Sequence, residues 1–159
     1  MDTALLGDLE RIKEHHFVEK VQMLKKLQES YGDAVIDTAM RALEDSVREE
    51  WHTIGELHGR NDIQELVHVV WEHFGKSGGF EFQVDSQPEG VQITCTKCPL
   101  ADMARTIGEP EWGYRFYCAT DPVMVEAFNP QIGLRRTKTL MEGHDCCNHF
   151  YYYKNPDAR

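Results

Sequence analysis

No apolar run in the 159-residue chain approaches the roughly 20 residues that carry a helix across a bilayer, so no membrane partner is expected. The opening Met1-Asp-Thr-Ala lacks the basic-then-apolar profile of a secretory signal, and the expected compartment is the cytoplasm. An excess of basic charge is also missing. Lys and Arg number 17 against 27 Asp and Glu, a formal charge of −10, which excludes a surface built on clustered phosphate contacts and with it nucleic acid. The only short basic cluster, Arg135-Arg136-Thr-Lys138, suits a small anion. A second C-x-x-C to match Cys95-Thr-Lys-Cys98 is absent, and so is the strand–helix alternation that a thioredoxin-like redox motif requires. Five cysteines are an odd number, and in a reducing compartment they read as free thiols, metal ligands or catalytic groups before disulfides.

What is present is ordinary globular material, 41% hydrophobic and 28% charged, in a length that suits a single domain over residues 1–159. The one linker-like stretch, Lys76-Ser-Gly-Gly79, separates a helical part (1–75) from a mixed part (76–159). Apolar residues at three-and-four spacing predict a helix from Leu5 to about Tyr31, carried by Leu6, Leu9, Ile12, Phe17, Val21, Leu24 and Leu27. A second helix is expected from Ala34 to about His58, with Ile36, Val47, Trp51, Ile54 and Leu57 on its stripe. A third runs from Ile63 to about Phe74 behind an Asn61 or Asp62 cap, with Leu66, Val69, Val70 and Phe74 inward. The pairs His52/Glu56 and His68/Glu72, and the neighbours His15-His16, read as solvated helix surface. Phe80–Val84 and Val91–Thr96 alternate about the Gln87-Pro-Glu-Gly90 turn as a β-hairpin. Pro99 opens a short helix to Ile107, and a helical segment from Gly113 to Phe128 divides at Thr120-Asp121, where Asp121 is the expected cap.

The chemistry concentrates in Leu140-Met-Glu-Gly-His-Asp-Cys-Cys-Asn-His-Phe-Tyr-Tyr-Tyr153. A long strand over Leu134–Met141, a tight turn at Gly143 and a returning strand from about Cys147 are expected. On the returning strand, alternation puts Cys147, His149, Tyr151 and Tyr153 on one face and Cys146, Asn148, Phe150 and Tyr152 on the other. The fold class is α+β, N-terminal helices packed on an antiparallel sheet.

Cys98-Pro99, Cys118-Ala-Thr-Asp121, Asn129-Pro130, the stretch Arg136-Thr-Lys-Thr-Leu140 and Gly143-His-Asp-Cys-Cys147-Asn-His149 together resemble the L-2-amino-thiazoline-4-carboxylic acid hydrolase family. The resemblance covers most of the chain and is specific from Cys98 to Tyr153. It implies a hydrolase acting on a carbon–nitrogen bond of a cyclic amidine, giving N-carbamoyl-cysteine from the family's substrate. The positions it points to are Cys98, Cys118, Asp121, Gly143, Asp145, Cys147 and His149. The C-terminal layout is also similar to four-vinyl-reductase-type domains, which implies helices on an antiparallel sheet around a small-molecule pocket.

The reading that follows is a hydrolase-like enzyme with a small-molecule substrate. Cys147 is its nucleophile with His149 or His144 the base, or the histidine activates water directly, and Asp121 or Asp145 is the acid that holds the protonated amidine. Cys118 lines the substrate pocket. Arg135 or Arg136 pairs with a substrate carboxylate; alternation in a strand lets at most one of them face the pocket. No cofactor is favoured, and a homo-oligomer is compatible with the composition. The rival is a binding or sensory module without turnover, in which Cys95, Cys98, Cys118 and one of Cys146 or Cys147, taken as Cys147, hold a structural zinc.

Overall fold

The computed structural model describes residues 3–57 and 59–155, with side chains in the first helix from Arg11 onward. His58 and the side chains of Leu6 and Leu9 lie outside the described residues. The chain forms two compact units, Met1–Ala42 and Leu43–Arg159. The boundary falls inside helix α2 (Ala34–Leu57), whereas Lys76-Ser-Gly-Gly79 connects two elements of the second unit.

In the first unit, helix α1 (Thr3–Tyr31) buries Phe17, Val21 and Leu24, which are spaced three and four apart. Ile12 stays half exposed, and His15 and His16 are solvated beside Glu19. Gly32, at φ +79°, ends α1. Leu57, expected on the stripe of α2, is instead 78% exposed at the helix end. No described helix is long and apolar enough to cross a membrane.

The second unit is built on a four-stranded antiparallel sheet in the order β1-β2-β4-β3. β1 (Glu81–Gln87) and β2 (Gly90–Lys97) form the expected hairpin, β3 spans Ile132–Arg135 and β4 spans Cys147–Tyr153. Alternation along β2 and β4 sends Val91, Ile93, Cys95 and their cross-strand partners Tyr151, His149 and Cys147 to the buried face. Ile63, Leu66, Val67, Trp71, Met124, Val125 and Phe128 pack with that face as one core.

Two of the helical segments of this unit depart from α geometry. α3 (Ile63–Val67) starts at Asp62, whose carboxylate accepts the Glu65 amide at 2.9 Å, and continues as a π-helical stretch over His68–Gly75. The wider turn brings Trp71 to 6% exposure and leaves Phe74, expected inward, 51% exposed. A second π-helical stretch, Tyr114–Cys118, extends α5 (Pro110–Gly113), which follows α4 (Pro99–Ile107). α6 (Asp121–Phe128) begins at the expected division, but Thr120 occupies the cap position and the Asp121 carboxylate turns away from the helix end.

The long strand expected over Leu134–Met141 is corrected. β3 stops at Arg135 because the next residues follow a different set of hydrogen bonds: Asn148 Oδ1 accepts the amides of Thr137 (3.0 Å) and Lys138 (2.7 Å). The chain then enters a 3-10 turn, Leu140–Glu142, closed by Gly143 at φ +88°. Gly113 lets α5 sit close to both this turn and α4, since a Cβ there would lie 2.7 Å from both Met141 Sδ and Ala104 Cβ.

Candidate active site

Between the buried face of the sheet and the helices of the second unit lies a cavity of about 300 Å³. Its walls are mainly aromatic and aliphatic, with Trp71, Phe80, Leu100, Tyr117, Met124 and Met141 among them. The polar groups on it are few. Cys95, Cys98, Cys118, Cys147, Asp121, Arg136, Thr139, His149 and the two tyrosines Tyr117 and Tyr151 carry them.

Cys147 enters as the first residue of β4 and is directly paired with Cys95 of β2. Its sulfur accepts the Leu140 amide at 3.1 Å, a donor that the 3-10 turn aims inward. The Cys95 thiol has two acceptors within reach, the Lys97 carbonyl at 3.1 Å and the Cys147 sulfur. One proton between two sulfurs pushes them apart in acidity. The Cys147 thiol falls from its ordinary value to about 6, first through the hydrogen bond from Cys95 and against the opposing pull of burial; the Leu140 amide and Arg136 favour the anion further. Cys95 moves far upward by the same contact and by burial. Burial raises Cys98 to about 11, and it raises Cys118 as well, with Asp121 adding to the effect.

Beside Cys147 stands a charged and hydrogen-bonded trio. Arg136 Nη1 donates to Asp121 Oδ2, and its Nη2 donates to the Cys118 carbonyl at 3.0 Å. His149 Nε2 lies 3.2 Å from the same Asp121 oxygen and 3.5 Å from Arg136 Nη1. The shorter contact and the charge of the carboxylate place the imidazole proton on Nε2. Nδ1 is then an acceptor, buried and without a hydrogen-bond partner among the described residues. Trp71 packs edge-on against the imidazole, 5.1 Å between centroids, and its indole N–H donates to Tyr151 Oη at 3.0 Å.

The structure therefore brings together Cys147, His149, Asp121, Arg136 and Cys118, from β4, α6, the segment after β3 and the second π-helical stretch. It does not bring His144, Asp145 or Arg135 to the cavity. His144 is exposed, and its Nδ1 lies 3.1 Å from the Thr139 carbonyl and 3.3 Å from the Thr139 amide nitrogen, bracing the turn. Asp145 is exposed and pairs with Lys138 at 2.9 Å. Arg135 lies over the Phe150 and Tyr152 rings on the opposite sheet face. Cys95, Cys98, Cys118 and Cys147 all touch the cavity, yet among the described residues no three His, Cys, Asp or Glu side chains converge as metal ligands.

Sequence reasoning missed Trp71, whose inward position depends on the π turn, and Cys95 as a partner of Cys147. Cross-strand alternation in the hairpin carried a signal for Cys95. Thr139 was also legible: Thr139-Leu-Met-Glu142 has capping-box spacing, and Thr139 Oγ1 accepts the Glu142 amide at 3.1 Å while donating to its carboxylate at 2.8 Å.

An antiparallel α+β unit with a thiol, an imidazole and a carboxylate on one apolar cavity defines the class of protein. The chain belongs to the L-2-amino-thiazoline-4-carboxylic acid hydrolase family, whose model matches residues 10–151. No curated protein matches it significantly. Among solved structures it is similar to the crystal structure of the phenol-responsive sensory domain of the transcription activator PoxR with phenol, at 13% identity and a TM-score of 0.49, covering 99% of this chain and 79% of that one.

Proposed function

We propose that the protein is a thiol-dependent hydrolase that opens a small cyclic amidine of the thiazoline type. The observation that carries this reading is the Cys147 sulfur, which receives the Leu140 amide, stands opposite Cys95 in the strand pair and lies on the same cavity wall as His149. Donors aimed at one sulfur favour its anion, the form that attacks carbon.

The thiolate adds to the protonated amidine carbon and forms a carbon–sulfur bond. The ring bond from that carbon to its leaving heteroatom then breaks, the heteroatom keeping the bonding pair and taking a proton from the charged adduct. His149 removes a proton from water through Nδ1 as the water oxygen bonds to the same carbon. Collapse of this second adduct releases the ring-opened carbamoyl product and the Cys147 thiolate, and one proton passes to solvent. Asp121 orients His149 from Nε2, and Arg136 holds Asp121 in place. The protein is then a cytoplasmic small-molecule enzyme.

The test compares Cys147→Ser with Cys146→Ser on 2-amino-2-thiazoline, following the carbamoyl product by mass spectrometry. Serine at position 147 should lower turnover by at least about a hundredfold, because an alcohol does not ionise in this range. Cys146 does not line the cavity, and serine there should leave turnover within about twofold. A folded Cys147→Ser protein with full activity refutes the nucleophile.

A further inference from the structure

The apolar walls, the paired guanidinium and the open imidazole acceptor bear on which ring the cavity takes. A five-membered amidine ring fills only part of about 300 Å³, and the remaining wall is Trp71, Phe80, Leu100, Met124 and Met141. Apolar walls are matched by apolar ligand surface. Arg136 is the only Lys or Arg on the cavity among the described residues. It is already committed, with Nη1 on Asp121, Nη2 on the Cys118 carbonyl, and a side chain 9% exposed. The neighbouring Arg135 lies on the other face of the sheet over Phe150 and Tyr152. A ligand carboxylate would therefore meet Asp121 and the Cys147 thiolate with no unpaired cation to receive it, and like charges in a partly dry site repel. His149 Nδ1, a buried acceptor without a partner among the described residues, calls for an N–H or O–H donor, which the nitrogens of an amidine supply.

We infer that the substrate of this cavity is a cyclic amidine carrying an apolar ring substituent and no carboxylate. The inference rests on reading the cavity as the substrate site, and it departs from the carboxylated ring for which the family is named.

The test separates binding from turnover. Binding to the wild-type protein is measured by calorimetry with 2-aminothiazole, its 4-carboxylate and its 4-phenyl derivative, aromatic counterparts that keep the ring and amino group but resist opening. The phenyl compound should bind at least about tenfold more tightly than the carboxylate, a difference of about 1.4 kcal/mol. Asp121→Asn, checked for folding by circular dichroism, should narrow that gap by releasing the Arg136 guanidinium. Equal or tighter binding of the carboxylate, or no binding by any of the three, overturns the inference. The matching thiazolines then separate the two readings. Preference for the phenyl ring without turnover of any ring keeps this inference and removes the hydrolase, whereas equal or higher kcat/KM for the carboxylated ring keeps the hydrolase and removes the inference.

Discussion

Cys95→Ala isolates the contact that most distinguishes Cys147 from the other cavity thiols. The substitution deletes one sulfur at a site only 1% exposed and removes the strongest influence holding the Cys147 thiol down. Hydrogen bonds to a charged group contribute about 1.5–3 kcal/mol, and a thiol is a weak donor, so the lower figure applies. At 1.36 kcal/mol per pKa unit, the loss corresponds to a rise of about one unit. The wild-type thiolate forms as pH rises through about 6, and in Cys95→Ala the same limb should be displaced to about 7. At pH 6 the ionised fraction then drops from about one half to about one tenth. The assay is the ultraviolet absorbance of the thiolate against pH, taken as the difference between each protein and its Cys147→Ser counterpart. Turnover should follow the same limb, since activity requires the anion and is lost as pH falls. Superimposable titrations of wild type and Cys95→Ala, with melting curves unchanged, would refute the claim that the cross-strand thiol sets the acidity of Cys147.

Two further substitutions probe the frame that holds the site. Tyr151→Phe should destabilise the protein by about 1–3 kcal/mol in urea titration, because Trp71 Nε1–H loses its buried acceptor; a change below about 0.5 kcal/mol contradicts the contact. Gly113→Ala should cost about 1–3 kcal/mol by forcing Met141 or Ala104 aside, and the Leu140–Glu142 turn with them. The displaced turn would carry the Leu140 amide away from Cys147, so Cys147 should also become a weaker acid; an unchanged titration would mean that the close approach of α5 is not what aims that amide.

How much of the site was legible depends on the range of the interactions that decide it. Cys147, His149 and Tyr151 share a face because side chains alternate along any strand, and that period is local. The hairpin at Gln87–Gly90 and the helix begun by Pro99 rest equally on turn and proline geometry. Position 143 likewise takes positive φ. The family resemblance, carried by short cysteine, histidine and aspartate motifs, is borne out by the match over residues 10–151.

The rest lay beyond local pattern. Asp121, Arg136 and His149 meet only because α6 and the segment after β3 pack against one end of the sheet, and no spacing rule links them. The π-helical stretch over His68–Gly75 interrupts the α register, and within it Trp71, four residues after the buried Val67, reaches the core while Phe74 does not. His144 and Asp145 had the right chemistry and the right neighbourhood, but the turn spends one on bracing Thr139 and pairs the other with Lys138 in solvent. Local chain chemistry determined which residue types stand on which face of each strand and where the turns and helix starts fall. Tertiary structure decided which thiol is the acid, because that depends on an amide from the 3-10 turn and a second thiol from a neighbouring strand arriving at one sulfur.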